Sequence, residues 1–142
     1  MPTDRYKNVL CINDNEVTLW IQKQILKKSN ISDEVTTLLN GREGLEYCKN
    51  YLKADFDPAC NYPRLILLDL HMPVMDGWEF LHHFSLDIWP FFTETKIIIT
   101  SFSIDEDHSE KAKQYPFVID FLTSSLTSDY LKNLQSSSLL LS

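Results

Sequence analysis

Residues 65–80 read LILLDLHMPVMDGWEF. Leu65, Ile66, Leu67 and Leu68 run without a polar interruption into Asp69, and Pro73 and Gly77 break the chain before the next apolar segment. A short run with no polar face, bounded by turn residues, is a strand buried on both sides. A carboxylate at the mouth of such a strand is costly unless it has a partner or a task. Asp69 is therefore both a boundary marker and a candidate functional residue.

The rest of the chain repeats the theme of short apolar strands separated by helical patterns. Residues 8–12 (NVLCI) read as a first strand. Val17, Trp20, Ile21, Gln24, Ile25 and Lys28 follow at helical spacing, with the apolar members expected on one face. Residues 34–39 (EVTTLL) read as a second strand. Asn40 is an N-cap with Glu43 at the capping-box position of a helix carrying Leu45, Tyr47, Cys48 and Leu52. A loop over 53–63, with two prolines, leads to the strand at 65–68, and a helix opens after Gly77 and covers 78–84. Residues 86–95 are a helix end and packed loop. Residues 96–100 (KIIIT) are a fourth strand, 104–114 a polar helix, 117–122 (FVIDFL) a fifth strand and 128–134 a last helix. Strands alternating with helices predict an α/β fold, a flavodoxin-like doubly wound parallel sheet of order 2-1-3-4-5. The domain is expected over residues 7–134, with 135–142 a fraying tail.

Composition narrows the function classes. A chain of 142 residues suits one domain, and 44% apolar residues suffice for a core. The formal net charge of -7 argues against a nucleic-acid binder with a basic face. Cys11, Cys48 and Cys60 match no zinc spacing and are expected as reduced thiols. No apolar run approaches the ~20 residues of a membrane span, and the N-terminus has no signal core, so a cytoplasmic protein is expected.

Ligands of doubly wound sheets bind beyond the carboxyl ends of the strands. There the sequence places Asn13, Asp14 and Asn15, then Asp69, then Thr100 and Ser101, then Thr123, Ser124 and Ser125. Strands one and three are neighbours in the expected order, which brings Asp14 close to Asp69. Two adjacent carboxylates repel unless a cation lies between them, and Mg2+ is held by one or two carboxylates plus phosphate oxygens. With the hydroxyl of Thr100, the set suits phosphoryl transfer to an aspartate. Each residue also has a plainer reading. Asp14, Asn13 or Asn15 could cap the following helix, Asp69 could end a strand in a turn, and Thr100 could be an ordinary strand residue. His71 reads as a loop residue, and His82 and His83 as partly solvated helix residues.

The sequence LLDLHMPVMDG, with these strand-end residues, resembles the receiver domain of two-component response regulators over most of the chain. The resemblance implies that Asp69 is the phosphoacceptor. Asp14, Asp69 and the main-chain carbonyl of His71 would hold Mg2+, with Asn13 acting through water. Thr100 would contact the phosphoryl group, and Phe121 would be the aromatic switch residue. Partners implied are a sensor histidine kinase or phosphotransfer protein and a downstream protein, with no nucleic acid or membrane, and with a homodimer as an option. The role is regulatory, not enzymatic.

Two positions depart from the family pattern. Asn13 stands where a second acid is usual. Ser124 and Ser125 stand where a Lys-Pro pair is usual, so the position of the missing lysine holds a short neutral side chain. A cis bond at Ser124-Ser125 would cost about 2.5–4 kcal/mol, so a trans bond is expected. The second reading is a pseudo-receiver that binds proteins without phosphorylation. A haloacid-dehalogenase-like phosphatase is the third, disfavoured because His71 stands where that class needs an acid.

Overall fold

The computed structural model describes residues 6–53, 55–102 and 106–136. Its elements are β1 (Tyr6–Ile12), α1 (Glu16–Lys28), β2 (Ser32–Leu38), α2 (Gly41–Lys49), β3 (Leu65–Leu68), α3 (Gly77–Asp87), β4 (Lys96–Thr100), α4 (Glu106–Ala112), β5 (Val118–Leu122) and α5 (Ser128–Ser136). All pairings are parallel, and the five strands lie in the order β2-β1-β3-β4-β5. This is the expected doubly wound sheet. Ile104 and most of the expected tail lie outside the described residues.

Strand alternation builds two cores. Leu10, Ile12, Ile66, Leu68, Ile97 and Ile99 face one side, where Leu45 and Cys48 of α2 and Phe80, Leu81 and Phe84 of α3 cover them. Val9, Cys11, Leu65, Leu67 and Ile98 face the other, covered by Leu19 and Leu26 of α1 and Leu131 and Leu134 of α5. Successive side chains of a strand point to opposite faces, so a strand in the middle of such a sandwich must be apolar at every position. β3 meets that condition at all four of its positions. Cys11 and Cys48 are buried free thiols, and burial pushes that of Cys11 up to about 12.

Helix ends follow local chemistry. The α1 N-cap is Asn15, whose side chain accepts from Thr18 N at 3.0 Å. The helix closes in a Schellman turn: Asn30, at φ 59°, donates to Lys27 O, and Ile31 N donates to Leu26 O. Asn40 caps α2 as expected, but Glu43 Oε1 accepts from Leu39 N, one residue before the cap. Asp76 makes a full capping box with Glu79 at the start of α3.

The face expected for α1 is corrected. Val17, Trp20 and Ile21 are 68%, 63% and 40% exposed, and the buried face carries Leu19, Gln22 and Leu26. Two apolar stripes compete on this helix. The Schellman turn joins Leu26 to the buried Ile31 and so turns the Leu19 stripe inward. Leu52 lies beyond the end of α2, and α3 runs three residues past Phe84 before Ile88 and Phe92 pack as buried loop residues. β5 departs from simple pairing, with its register against β4 slipping between Ile97 and Ile98.

The loop between β3 and α3 holds a strained residue. Val74 has φ 71°, and Met75 N donates to Pro73 O at 2.8 Å, which closes a three-residue γ-turn. A β-branched side chain is poorly suited to this region, whereas asparagine tolerates it. Val74 is also 70% exposed, so little packing is lost on its replacement. Val74→Asn is expected to stabilise the protein by about 1 kcal/mol and to raise its thermal midpoint by a few degrees. Urea and thermal unfolding of the two proteins check it.

Candidate phosphoacceptor site

The sheet register lines up the site. Ile12 pairs with Leu68, and Leu68 with Ile99, so Asn13, Asp69 and Thr100 follow in one row at the carboxyl edge. Main-chain bonds carry the ladder beyond the strands. Asn13 N donates to Leu38 O, Asp69 N to Ile12 O and Ser101 N to Leu122 O, at 3.0–3.1 Å. Gly77 N donates to Leu70 O at 3.0 Å, which folds the loop back beside Asp69. A Cβ on Gly77 would stand 2.5 Å from Asp69 O, so only glycine fits this approach.

Asn13, Asp14, Asp69, Thr100 and Ser124 line one open cavity of about 250 Å³. No lysine or arginine is among the described residues that line it. Asp69 is half-buried and its carboxyl is raised above the ordinary value, first by burial and then by the charge of Asp14. Main-chain N–H groups of Leu70 and His71 partly offset this by hydrogen-bonding the carboxylate. The Thr100 hydroxyl is buried and has no hydrogen-bond partner among the described residues.

The competing readings of the first loop separate cleanly. Asn15 caps α1, and Asn13 Oδ1 accepts from Asn15 N at 2.9 Å, which leaves the exposed Asp14 carboxylate free of capping duty. The His71 side chain is exposed and stands outside the cavity lining. Phe121 is half-buried against the α2–α3 core and does not line the cavity either. Ser124 lines it from the turn after β5, and the described residues contain no cis peptide bond.

Sequence reading missed Gln22. It is 4% exposed, lines the cavity from α1, and its Oε1 is buried without a hydrogen-bond partner. Its position three residues after Leu19 and four before Leu26 was the available signal, hidden by the choice of the other apolar stripe.

The donor set suits a small hard cation, although it is sparse. Among the described residues no group of three or more His, Cys, Asp or Glu side chains could hold a metal ion. Mg2+ needs fewer, since it keeps several waters and takes one or two carboxylates. Asp14 is close enough for its charge to raise Asp69, the His71 side chain offsets this in part, and no lysine or arginine is among the described lining residues.

Comparison with known proteins identifies the family. The family model described as "Response regulator receiver domain" matches residues 9–134. The chain belongs to that family, the receivers of two-component signalling. It is 30% identical over 106 residues to the chemotaxis protein CheV3 of Helicobacter pylori, covering 75% of this chain and 33% of the relative. It is 27% identical over 101 residues to the response regulator Rcp1 of Synechocystis, covering 71% of this chain and 65% of the relative. The chain thus spans less than two thirds of the length of these relatives. Among solved structures, a two-component response regulator from Cytophaga hutchinsonii aligns at a TM-score of 0.82 and 22% identity, covering 97% and 99% of the two chains. The receiver domain of the Arabidopsis thaliana histidine kinase CKI1, in a complex with Mg2+ and BeF3-, aligns at 0.74 and 24% identity, covering 94% and 93%.

The raised Asp69 carboxyl carries a pH signature. An ionised group whose folded-state affinity for a proton is raised works against folding above its folded value, and not below its unfolded value. Asp69→Asn removes that charge in both states. In metal-free buffer the variant is expected to be more stable than the parent at pH 7. The gain should shrink as pH falls through the raised carboxyl value and vanish below the ordinary carboxylate range. Urea unfolding at a series of pH values checks this, and a pH-independent difference would overturn it.

Proposed function

We propose that this receiver accepts a phosphoryl group on Asp69 from a phosphohistidine of a sensor histidine kinase or phosphotransfer protein. The observation that carries the reading is the row at the carboxyl edge: a half-buried Asp69, raised by Asp14, beside an unpartnered Thr100 hydroxyl in an open cavity. A carboxylate oxygen of Asp69 attacks phosphorus, the bond from phosphorus to the histidine nitrogen breaks, and the imidazole keeps the electron pair and takes a proton from solvent. The Thr100 hydroxyl donates to a phosphoryl oxygen. The Leu70 and His71 N–H groups hold the carboxylate in place during attack.

Asp14, Asp69 and the His71 main-chain carbonyl would hold Mg2+, with Asn13 acting through water. The ion supplies neutralisation of the charge that gathers on the transferring group. Engagement of Thr100 would bias the position of Phe121 on β5 and reshape the surface of the last strands and helices, a two-state switch read by a downstream protein. Asp69 acts once per transfer as an acceptor, so the role is regulatory. With Ser124 in place of lysine, the phosphoryl group lacks a built-in cation, and relay to that surface is weaker than in a receiver that has one. The full protein's partners depend on any segments joined to this domain.

Intact-mass measurement after incubation with Mg2+ and acetyl phosphate tests the reading. The expected result is a gain of one phosphoryl group, absent in Asp69→Ala and in the presence of a chelator. Asp14→Ala should slow labelling by about tenfold or more, the scale of removing one preorganised charge-stabilising group. A protein that stays unlabelled where an ordinary receiver is labelled would instead be a phosphorylation-independent binding module.

A further inference from the structure

Among the described residues, two buried side-chain polar atoms have no hydrogen-bond partner: Oε1 of Gln22 and Oγ1 of Thr100. Both side chains line the same cavity. An unpaired buried polar group is costly and uncommon, so two on one cavity call for a common explanation. The strands put them on one side of the sheet. Residues two apart on a strand share a face, and Leu67 and Ile98 belong to the core beneath α1. Asp69 and Thr100 continue those rows, on the side where α1 buries Leu19, Gln22 and Leu26. Gln22 interrupts an otherwise apolar stripe. Leucine or methionine would fill that position without a polar group to satisfy.

The two atoms are chemically complementary. An amide oxygen only accepts, whereas a hydroxyl donates one hydrogen bond and accepts others. They make no direct bond to each other. The cavity of about 250 Å³ has room for a water, which takes up roughly 30 Å³ and needs polar partners of this kind. We propose that Gln22 is a positioning residue that holds the Thr100 hydroxyl in the unphosphorylated protein through one bridging water. The consequence rests on the phosphoryl-transfer reading. A Thr100 hydroxyl that donates to a phosphoryl oxygen must first leave the water that links it to Gln22. The link therefore opposes the phosphorylated arrangement, and it does so from α1, a helix that carries no residue of the transfer scheme.

A double-mutant cycle, read by urea unfolding of the unphosphorylated, metal-free chain, tests the link. Gln22→Met keeps the length and helical preference of the side chain, and Thr100→Val keeps the branched shape that suits a strand end. Each single change leaves the other atom without its partner, and the double change removes both. The expected coupling is about fivefold in the unfolding constant, the worth of one hydrogen bond, with the double variant more stable than the two single losses add up to. No phosphoryl group is involved, so this outcome is independent of whether Asp69 accepts one. A second arm reads the switch with Mg2+ and beryllofluoride, a non-covalent stand-in for the phosphoryl group. Gln22→Met is expected to bind it about threefold to fivefold tighter than the parent does. The gain should persist beside Thr100→Ser, which keeps the hydroxyl, and vanish beside Thr100→Val. Additive losses in the cycle would overturn the link. A coupled pair whose loss leaves beryllofluoride affinity unchanged, or tightens it equally beside Thr100→Val, would overturn its role in the switch. A parent that binds no beryllofluoride would overturn the transfer reading and that role with it, while the cycle still decides the link.

Discussion

The hydrogen-bond ladder through β3 is the constraint on which everything else rests. β3 is a four-residue strand with neighbours on both edges and a core on both faces. A strand so enclosed has no freedom to slip, because a shift of one residue would exchange the contents of the two cores. That rigidity is handed to Asp69, whose N–H is fixed to Ile12 O immediately beyond the strand. A carboxylate on a flexible loop would have no such fixed position. Here the order is a by-product of folding.

Much of this was legible in the sequence, for reasons that can be named. Short apolar runs of Leu, Ile and Val bounded by Asp, Asn and Gly report buried strands, and their alternation with helical segments makes the sheet parallel. The strand ends then identify Asn13, Asp14, Asp69 and Thr100 without any knowledge of distances. The face of α1 was read wrongly because helical spacing alone fits two stripes, and the choice between them is made by a tertiary contact at Ile31 and the turn that leads to it. Gln22 was lost with that choice. The γ-turn at Val74 was invisible for a different reason: valine is among the residues least expected at positive φ, so its side chain argues against the conformation that the surrounding loop imposes.

The first loop shows how a few neutral side chains divide tasks that aspartates could share. Asn15 caps α1, Asn13 binds the main chain of Asn15, and Asp14 alone keeps a carboxylate for the cavity. With serine at position 124, the described lining of the cavity carries no lysine or arginine.

The opposite end of the molecule is built to another standard. Tyr62 and Phe92 stack at 4.2 Å, Phe56 stacks on Phe92 from the long connection before β3, and Phe84 and Phe117 close the cluster from α3 and the approach to β5. Three strands therefore start from one aromatic block, and they end on hydroxyls and a carboxylate. Amide protons near the starts of β3 and β4 should open only with global unfolding, and those past their ends by local fluctuation. The sheet then works as a set of cantilevers, clamped at one edge and able to bend at the edge that carries Asp69 and Thr100.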